Sequence, residues 1–185
     1  RVKLIFRESK QGLAGAYLDA FARILPDQTV EHVVTMDADL SHNPAELPEL
    51  LRHLDRHDMV VGSRYAPGGR ILKWSLPRRA LSRFASYYAR VVTGVPVYDL
   101  TAGFVVYHRD LLGQILTDFV KSEGYAYQIE MKYLAHRLGA RIKEVPITFR
   151  EREVGSSKLG RGVVWEGVVM PWYLRLFRRG SRRGF

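Results

Sequence analysis

Short apolar runs and stretches with apolar residues every three or four positions follow one another along the chain. Val2–Phe6 reads as a strand, and Gly12–Leu25 then repeats apolar residues at helical spacing through Leu13, Ala16, Tyr17, Ala20 and Ile24, stopping before Pro26. The β-branched run Val30–Met36 predicts a buried strand. Asn43 and Pro44 then open a helix through Leu54, with Asn43 suited to the N-cap, Pro44 to the first turn and Glu46 to the positive end of the helix dipole. Met59–Gly62 reads as another strand, ended by glycine and followed by a loop with Pro67, Gly68 and Gly69. Further on come a strand at Phe104–His108, a helix from Asp110 to about Val120 and a helix over Gln128–Leu138 that ends at Gly139. Arg141–Phe149 alternates as a strand, and Pro146 suits an edge position. This alternation predicts one α/β domain with a largely parallel sheet and helices on both faces.

Thr35-Met36-Asp37-Ala38-Asp39 sets two carboxylates at the C-terminal end of a strand, the edge where open α/β sheets bind ligands. Side chains alternate along a strand, so Asp37 and Asp39 share a side. Two like charges there favour a cation between them, and oxygen ligands of this kind suit Mg²⁺ or Mn²⁺ shared with substrate phosphates. The plainer reading has one Asp capping the next loop and the other in solvent; His42 is a neighbour that could join a metal site or simply sit at the surface.

Charge sharpens the picture. The chain has 29 Lys and Arg against 19 Asp and Glu, a formal net charge of +10. Glu31–Asp58 is net −5, whereas Arg64–Arg109 and Arg141–Phe185 are each net +7. An acidic cluster followed by basic regions suits a cation site facing an anion-binding surface, as opposed to a generally basic solvated protein.

On a helical wheel over Arg78–Val92, Arg79, Arg83 and Arg90 gather about 100–140° from Arg78, while Leu81, Phe84, Ala85, Tyr88, Val91 and Val92 fall at about 220–340°. Opposed faces of this kind fit either a helix lying in a membrane interface or one packed on the protein's own sheet. Val163–Phe177, with Trp165, Trp172 and Tyr173, is too short to span a bilayer and suits the headgroup level. The arginines at 175, 178, 179, 182 and 183 would attract anionic lipid, and by charge alone nucleic acid as well. Residues 161–185 are therefore expected to form a C-terminal amphipathic, basic membrane-surface segment behind a domain over 1–160.

Composition excludes some classes. An apolar content of 46% and a charged content of 26% fit a folded domain, and the absence of Cys rules out a disulfide scaffold, thiol catalysis and Cys-based zinc sites. No apolar run reaches the ~20 residues of a spanning helix, and Arg1-Val2-Lys3 does not open like a signal peptide.

The run Met36–Pro44, MDADLSHNP, resembles the metal-binding segment of polyprenol-phosphate sugar transferases, the dolichol-phosphate mannose synthase-like enzymes of the GT-A glycosyltransferase fold. Gly62-Ser63-Arg64-Tyr65, Trp74–Arg83, Asp99–Phe104, Gly124–Met131, Glu144–Ile147 and Gly155–Leu159 resemble the same family in order and spacing. The resemblance implies a GT-A-like, Rossmann-type sheet and transfer of mannose from GDP-mannose to polyprenyl phosphate, with inversion, at the cytoplasmic face of a membrane. It places Asp37 and Asp39 at the nucleotide-sugar diphosphate with Asp39 as the main metal ligand, and Arg64, Arg78 and Lys158 at the acceptor phosphate. It also places Gly12 in a donor-side loop, Thr101 and Gly103 in a loop beside the sugar, and Gln128 and Glu130 on an inner helix near the same pocket. Many relatives have Gln where this chain has Ser41, so a third side-chain ligand is not expected there. A membrane-anchoring partner protein is a further implication, and nucleic acid is not an expected partner.

The family pattern begins with strands and an acidic base-binding motif not found after Arg1, so roughly 50–60 residues are expected to be missing, judged from βα unit lengths. A sister transferase using UDP-glucose, and a non-catalytic basic module for lipid or nucleic acid, are the alternatives. The attacking phosphate oxygen, with a second pKa of about 6, is already anionic at neutral pH, so no general base is required. Such a reaction needs a divalent ion at the leaving diphosphate and cations that bring two anions together.

Overall fold

A computed structural model describes residues 3–6, 12–117, 120–122, 124, 126–151 and 161–178, the first four residues of the last stretch by backbone only. In chain order the elements are α1 (Gly12–Ile24), β1 (His32–Thr35), a 3₁₀ turn (Pro44–Glu46), α2 (Leu47–Leu51), β2 (Met59–Ser63) and β3 (Arg70–Leu72). Then follow α3 (Leu76–Thr93), β4 (Val105–His108), α4 (Arg109–Thr117), α5 (Ala126–Arg137), β5 (Ile142–Pro146), β6 (Thr148–Arg150) and α6 (Arg161–Phe177). Every helix expected from the apolar spacing is present. The strand expected over Val2–Phe6 is not: residues 3–6 are exposed and have no regular structure, and Val2 lies outside the described residues.

The main sheet has the order β1-β4-β2-β5 and is mixed where a largely parallel one was expected. β4 runs antiparallel to both β1 and β2, and β2 pairs parallel with β5. The reason lies in the connection after β2. Val61 pairs with Val105 and the Gly62 amide donates to the Phe104 carbonyl, so β4 starts at the end of the sheet where β2 finishes. The intervening β3, α3 and following loop form an excursion at that one end, whereas a strand–helix–strand pattern alone suggests a crossover.

Register separates two cores. Val33, Val105, Tyr107, Met59 and Val61 point to one face and pack with Phe21, Ala89, Leu112, Met131 and Leu174 from the helices. Val60, Phe104 and Val106 face the other side with Leu50, Leu54, Val145 and Ile147. Helices thus cover both faces, as expected. β1 is an edge strand of this sheet and only alternately buried, with Val34 38% exposed, where a buried strand was expected.

The helix expected over residues 44–54 divides into the 3₁₀ turn and the short α2. Pro48 has no amide to donate to Pro44, so the Leu47 amide takes that carbonyl in a tighter turn. Asn43 does cap the start, its side chain accepting from the Ala45 amide. The strand expected over Arg141–Phe149 breaks at Ile147, whose amide donates to Ser63 and whose carbonyl accepts from Arg70. β5 thereby stays on the edge of the main sheet, as Pro146 suggested, and β6 pairs with β3 in a separate ribbon.

α3 is capped at its end by Gly94 with φ 75° and packs against α6. Its buried positions are the small ones, Ser86, Ala89 and Thr93, together with Val92. Leu76, Leu81, Phe84, Tyr87 and Val91 are exposed, so the aromatic face does not pack on the protein's own sheet. α6 adds exposed Trp165, Val168, Val169, Trp172, Leu176 and Phe177. The Tyr88 hydroxyl donates to the Val168 carbonyl and ties the two helices together. Among the described residues no helix is long and apolar enough to cross a membrane.

Candidate functional site

Asp37, Asp39, Arg64, Thr101, Gly103 and Gln128 lie toward the end of the sheet where β1 and β2 finish and β4 begins. Asp37 follows β1, and its amide donates to His42 Nδ1 at 3.1 Å. The His42 ring is buried between Phe104 and Phe149, with centroids at 5.3 and 5.2 Å. Burial pushes the His42 pKa down, against the opposing pull of Asp37 and Asp39. A neutral ring whose Nδ1 accepts an N–H carries its proton on Nε2. His42 therefore shapes the acidic loop and is no free base. Asp39 Oδ1 accepts from the Ser41 amide at 3.0 Å, and Leu40 between them has φ 63°, a left-handed conformation uncommon for a residue with a side chain.

Gly103 stands opposite. A methyl group added there would lie 3.6 and 3.7 Å from the two Asp37 carboxylate oxygens and 3.7 Å from Gln128 Nε2, so Asp37, Gly103 and Gln128 meet at one point. The Gly103 carbonyl accepts from Thr35 Oγ1 at 2.9 Å, which fixes the start of β4 against the end of β1. Tyr17 of α1 stacks on Tyr127 with centroids 5.5 Å apart. Burial and then the Asp37 charge push its phenol up to about 12.

The loop from Tyr98 to Gly103 is pinned nearly residue by residue. Glu144 of β5 accepts from the Tyr98 and Asp99 amides at 2.7 and 3.0 Å. Asp99 is fully buried and accepts from Arg64 at its amide, Nε and Nη2, at 3.0, 2.7 and 2.8 Å. Burial acts to raise the Asp99 pKa, but the Arg64 charge and hydrogen bonds outweigh it and the net shift is downward. Arg64 Nη2 also donates to Thr101 Oγ1 at 2.7 Å, and Ser86 Oγ lies 3.0 Å from the same hydroxyl. The Ala102 carbonyl accepts from Lys132 Nζ at 2.8 Å.

Arg64 is thus a bracket of the loop as well as a cation, with a side chain 9% exposed. Its guanidinium lies 5.2, 5.7 and 5.3 Å from the rings of Tyr65, Trp74 and Phe149. Arg78 stacks on Trp74 at 4.3 Å and pairs through Nη1 with Glu151. The indole of Trp74 is therefore shared by two guanidinium groups, a stacked arrangement available to Arg and not to Lys.

The expected residues divide as follows. Asp37, Gly103 and Gln128 come together; Thr101, Arg64 and Arg78 line the neighbouring wall. Asp39 sits two residues on in the same loop, and its charge, like that of Asp37, acts on His42. Glu130 falls elsewhere: two residues along a helix is about 200°, and its buried carboxylate accepts from the Lys121 and Ser122 amides and from Ser122 Oγ. It ties that segment to α5 and lies 3.5 Å from Arg178. Gly12 begins α1, exposed, with φ 73°, and no described contact joins it to Asp37. Lys158 lies outside the described residues. Asp99, Glu144, Trp74 and Lys132 were not singled out as site residues. The first three lie in segments that carried the resemblance, whereas Lys132 had only a weak signal, a cation in an otherwise apolar-flanked helix.

Two acidic oxygen donors in one loop fit a hard divalent cation that completes its shell with substrate oxygens. The buried Ser41 hydroxyl, which has no hydrogen-bond partner, adds an unused oxygen in the same loop. No group of three or more His, Cys, Asp or Glu side chains suited to enclose a metal occurs among the described residues.

Sequence comparison fits this geometry. The glycosyl transferase family 2 profile matches residues 1–116, which include β1, β2, the acidic loop and the pinned loop. The chain belongs to that family. Undecaprenyl-phosphate mannosyltransferase of Micrococcus luteus is 44% identical over 168 residues, covering 91% of this chain and 69% of that protein. Polyprenol monophosphomannose synthase of Mycolicibacterium smegmatis is 42% identical over 178 residues, 95% of this chain and 67% of the relative. Among solved structures, glucosyl-3-phosphoglycerate synthase of Mycobacterium tuberculosis, crystallised with Mn²⁺, uridine-diphosphate-glucose and glycerol 3-phosphate, superposes with a TM-score of 0.62 at 19% identity. That match covers 92% of this chain but 57% of the other. The same synthase with Mg²⁺ and uridine-diphosphate gives 0.62 at 20% identity, over 96% and 58%. These likenesses establish the fold, a GT-A glycosyltransferase, and the family makes the chain a glycosyltransferase.

Proposed function

We propose that this chain forms the greater part of a polyprenol-phosphate mannosyltransferase, which moves mannose from GDP-mannose to the phosphate of a membrane-embedded polyprenol, with inversion. One observation carries the reading. Helix α3 begins at the Trp74–Arg78 cation cluster beside the acidic loop, and the same helix exposes Leu81, Phe84, Tyr87 and Val91 together with the aromatic face of α6. A substrate with an anionic head and an apolar tail needs those two surfaces side by side. The likeness to the two bacterial relatives supports the lipid phosphate as acceptor and mannose as the sugar.

The acceptor is already a nucleophile at neutral pH, since a phosphate monoester's second pKa is about 6. The buried neutral His42 is accordingly left to hold the Asp37 amide and is not needed to take a proton. Arg78, with Arg64 behind the shared indole, would draw the acceptor phosphate in, competing with Glu151 for the outer guanidinium. Lys158 remains a proposed third cation. Gln128 and the bare Gly103 would let the donor's sugar and diphosphate lie against Asp37, with Thr101 shaping the adjoining wall. Asp37 and Asp39 would hold Mg²⁺ or Mn²⁺, which when bound offsets the charge of the leaving nucleoside diphosphate. Exposed Arg79 and Arg83 flank the apolar stripe of α3 and would meet lipid phosphates at the cytoplasmic membrane surface.

The test is transfer of radiolabelled mannose from GDP-mannose to short-chain polyprenyl phosphate by the full-length protein with Mg²⁺ or Mn²⁺, followed as organic-phase label. Asp39→Asn is expected to abolish it. Equal or better transfer of glucose from UDP-glucose, or full activity in Asp39→Asn, overturns the reading.

A further inference from the structure

The Lys132 side chain is fully buried in α5, a helix whose residues from Ala126 to Ala135 are all buried. Its Nζ donates to the Ala102 carbonyl at 2.8 Å, the Gln128 carbonyl at 3.2 Å and Gln128 Oε1 at 3.5 Å. All three partners are neutral, and no ion pair of this residue occurs among the described residues. A buried ammonium without a carboxylate partner is costly, and a buried apolar side chain of the same length would avoid that cost. Its three contacts, however, join the two elements that meet opposite Asp37: the pinned loop, through Ala102, and the Gln128 side chain.

Resting on the function proposed above, we propose that Lys132 is a positioning residue for sugar transfer, setting the orientation of the Gln128 amide toward Asp37. An ammonium has three donors and no acceptor, so only the Gln128 oxygen turns to it. Nε2 is then directed away, toward Gly103, where a methyl group would meet both Nε2 and the Asp37 carboxylate. The amide presents donors at the point where the nucleotide-sugar oxygens would approach Asp37. An apolar side chain at 132 leaves the amide free to rotate and the Ala102 carbonyl unpaired, which loosens the residue preceding Gly103.

The charged groups around Lys132 come from several elements. Asp99 lies in the pinned loop, Arg64 after β2 and Glu144 on β5; Glu130 on its own helix is engaged with Lys121 and Ser122. Burial lowers the Lys132 pKa to about 7, Arg64 adds to the drop, and Asp99 and Glu144 oppose it. The ammonium is complete below that pH, and one of its donors is lost above it.

The experiment compares the full-length protein with Lys132→Met, Gln128→Ala, the double variant and Asp39→Asn. Mannosyl transfer is measured from pH 6 to 9 with each substrate varied, alongside thermal unfolding. Lys132→Met is expected to lower kcat about tenfold or more, as small misplacements in a reacting site do, while both KM values stay within about twofold. Wild-type kcat falls as pH rises through about 7, and Lys132→Met lacks that fall. The double variant is no worse than Gln128→Ala alone, because the two residues act as a unit. The inference is overturned by a Lys132→Met kcat within about twofold of wild type, by the same pH profile in both proteins, or by fully additive losses. It is equally overturned by a loss that matches the unfolded fraction. If Asp39→Asn kills transfer while Lys132→Met does not, only this inference fails. If transfer survives Asp39→Asn, the function itself is refuted.

Discussion

Replacing Asp99 by Asn would show how much of the site rests on one buried ion pair. The Asp99 carboxylate is fully buried, takes three hydrogen bonds from Arg64 and two longer ones, 3.2 and 3.4 Å, from Thr101 and Ser86, and faces an arginine side chain that is itself 9% exposed. Both partners are out of solvent, so screening discounts little. The amide leaves the Arg64 charge uncompensated and turns at least one N–H toward donors. Breaking a buried pair in this way costs about 3–5 kcal/mol. Against a total stability of about 5–15 kcal/mol that is a large share. At about 2–4 °C per kcal/mol for a domain of this size, the melting temperature falls by about 6–20 °C. The net pKa of Asp99 is lowered by folding, because Arg64 outweighs burial. The stabilisation is therefore fully present above the unfolded carboxyl value of about 3.9 and is lost as pH falls through the lower folded value. Thermal and urea unfolding of wild type and Asp99→Asn across pH 3–8 reads both quantities. Replacing both partners with apolar residues, Asp99→Leu with Arg64→Met, recovers part of the loss. A drop of less than about 2 °C at pH 7, or a wild-type advantage already gone at pH 5, would refute the reasoning.

Two further outcomes follow from the same geometry. Leu81→Ser with Phe84→Ser removes two exposed apolar side chains from α3 without touching its buried face. At about 1–2 kcal/mol for each partly inserted side chain, binding to anionic liposomes falls about 30- to 900-fold in flotation, with unchanged melting, and unchanged flotation would remove α3 from the membrane surface. Gly103→Ala adds a methyl at ordinary contact distance from Asp37 and Gln128. Melting should move little while mannosyl transfer falls about tenfold or more, and wild-type transfer would show that the space between those side chains is not used.

Local signals carried much of the fold. Apolar spacing, caps and breakers located the six α-helices of the described residues, since those signals follow from which face is buried and where a helix can start or stop. The Asn43 cap and the Gly94 and Gly139 conformations, with φ 75° and 80° at the glycines, follow from residue chemistry alone. The split of the 44–54 segment was legible in principle from Pro48. The break at Ile147 was not, because it depends on Ser63 and Arg70 from distant segments. β3 also escaped, since a three-residue strand has too few positions to show a period.

The acidic loop, the cation cluster and the exposed character of the aromatic helices were all present in residue order. Their partners were not. That Arg64 spends its fork on Asp99 and Thr101, that Glu130 turns away from Gln128, and that Lys132 holds Gln128 depend on contacts between segments up to 37 residues apart. By itself the sequence determined the helices and the longer strands from β1 onward, the chemical classes at the sheet end and the family. The tertiary structure alone decided the antiparallel course of β4, because strand direction depends on where a connection returns. It alone decided which charges are neutralised and which face solvent, because burial and pairing are properties of the assembled packing and not of any one segment.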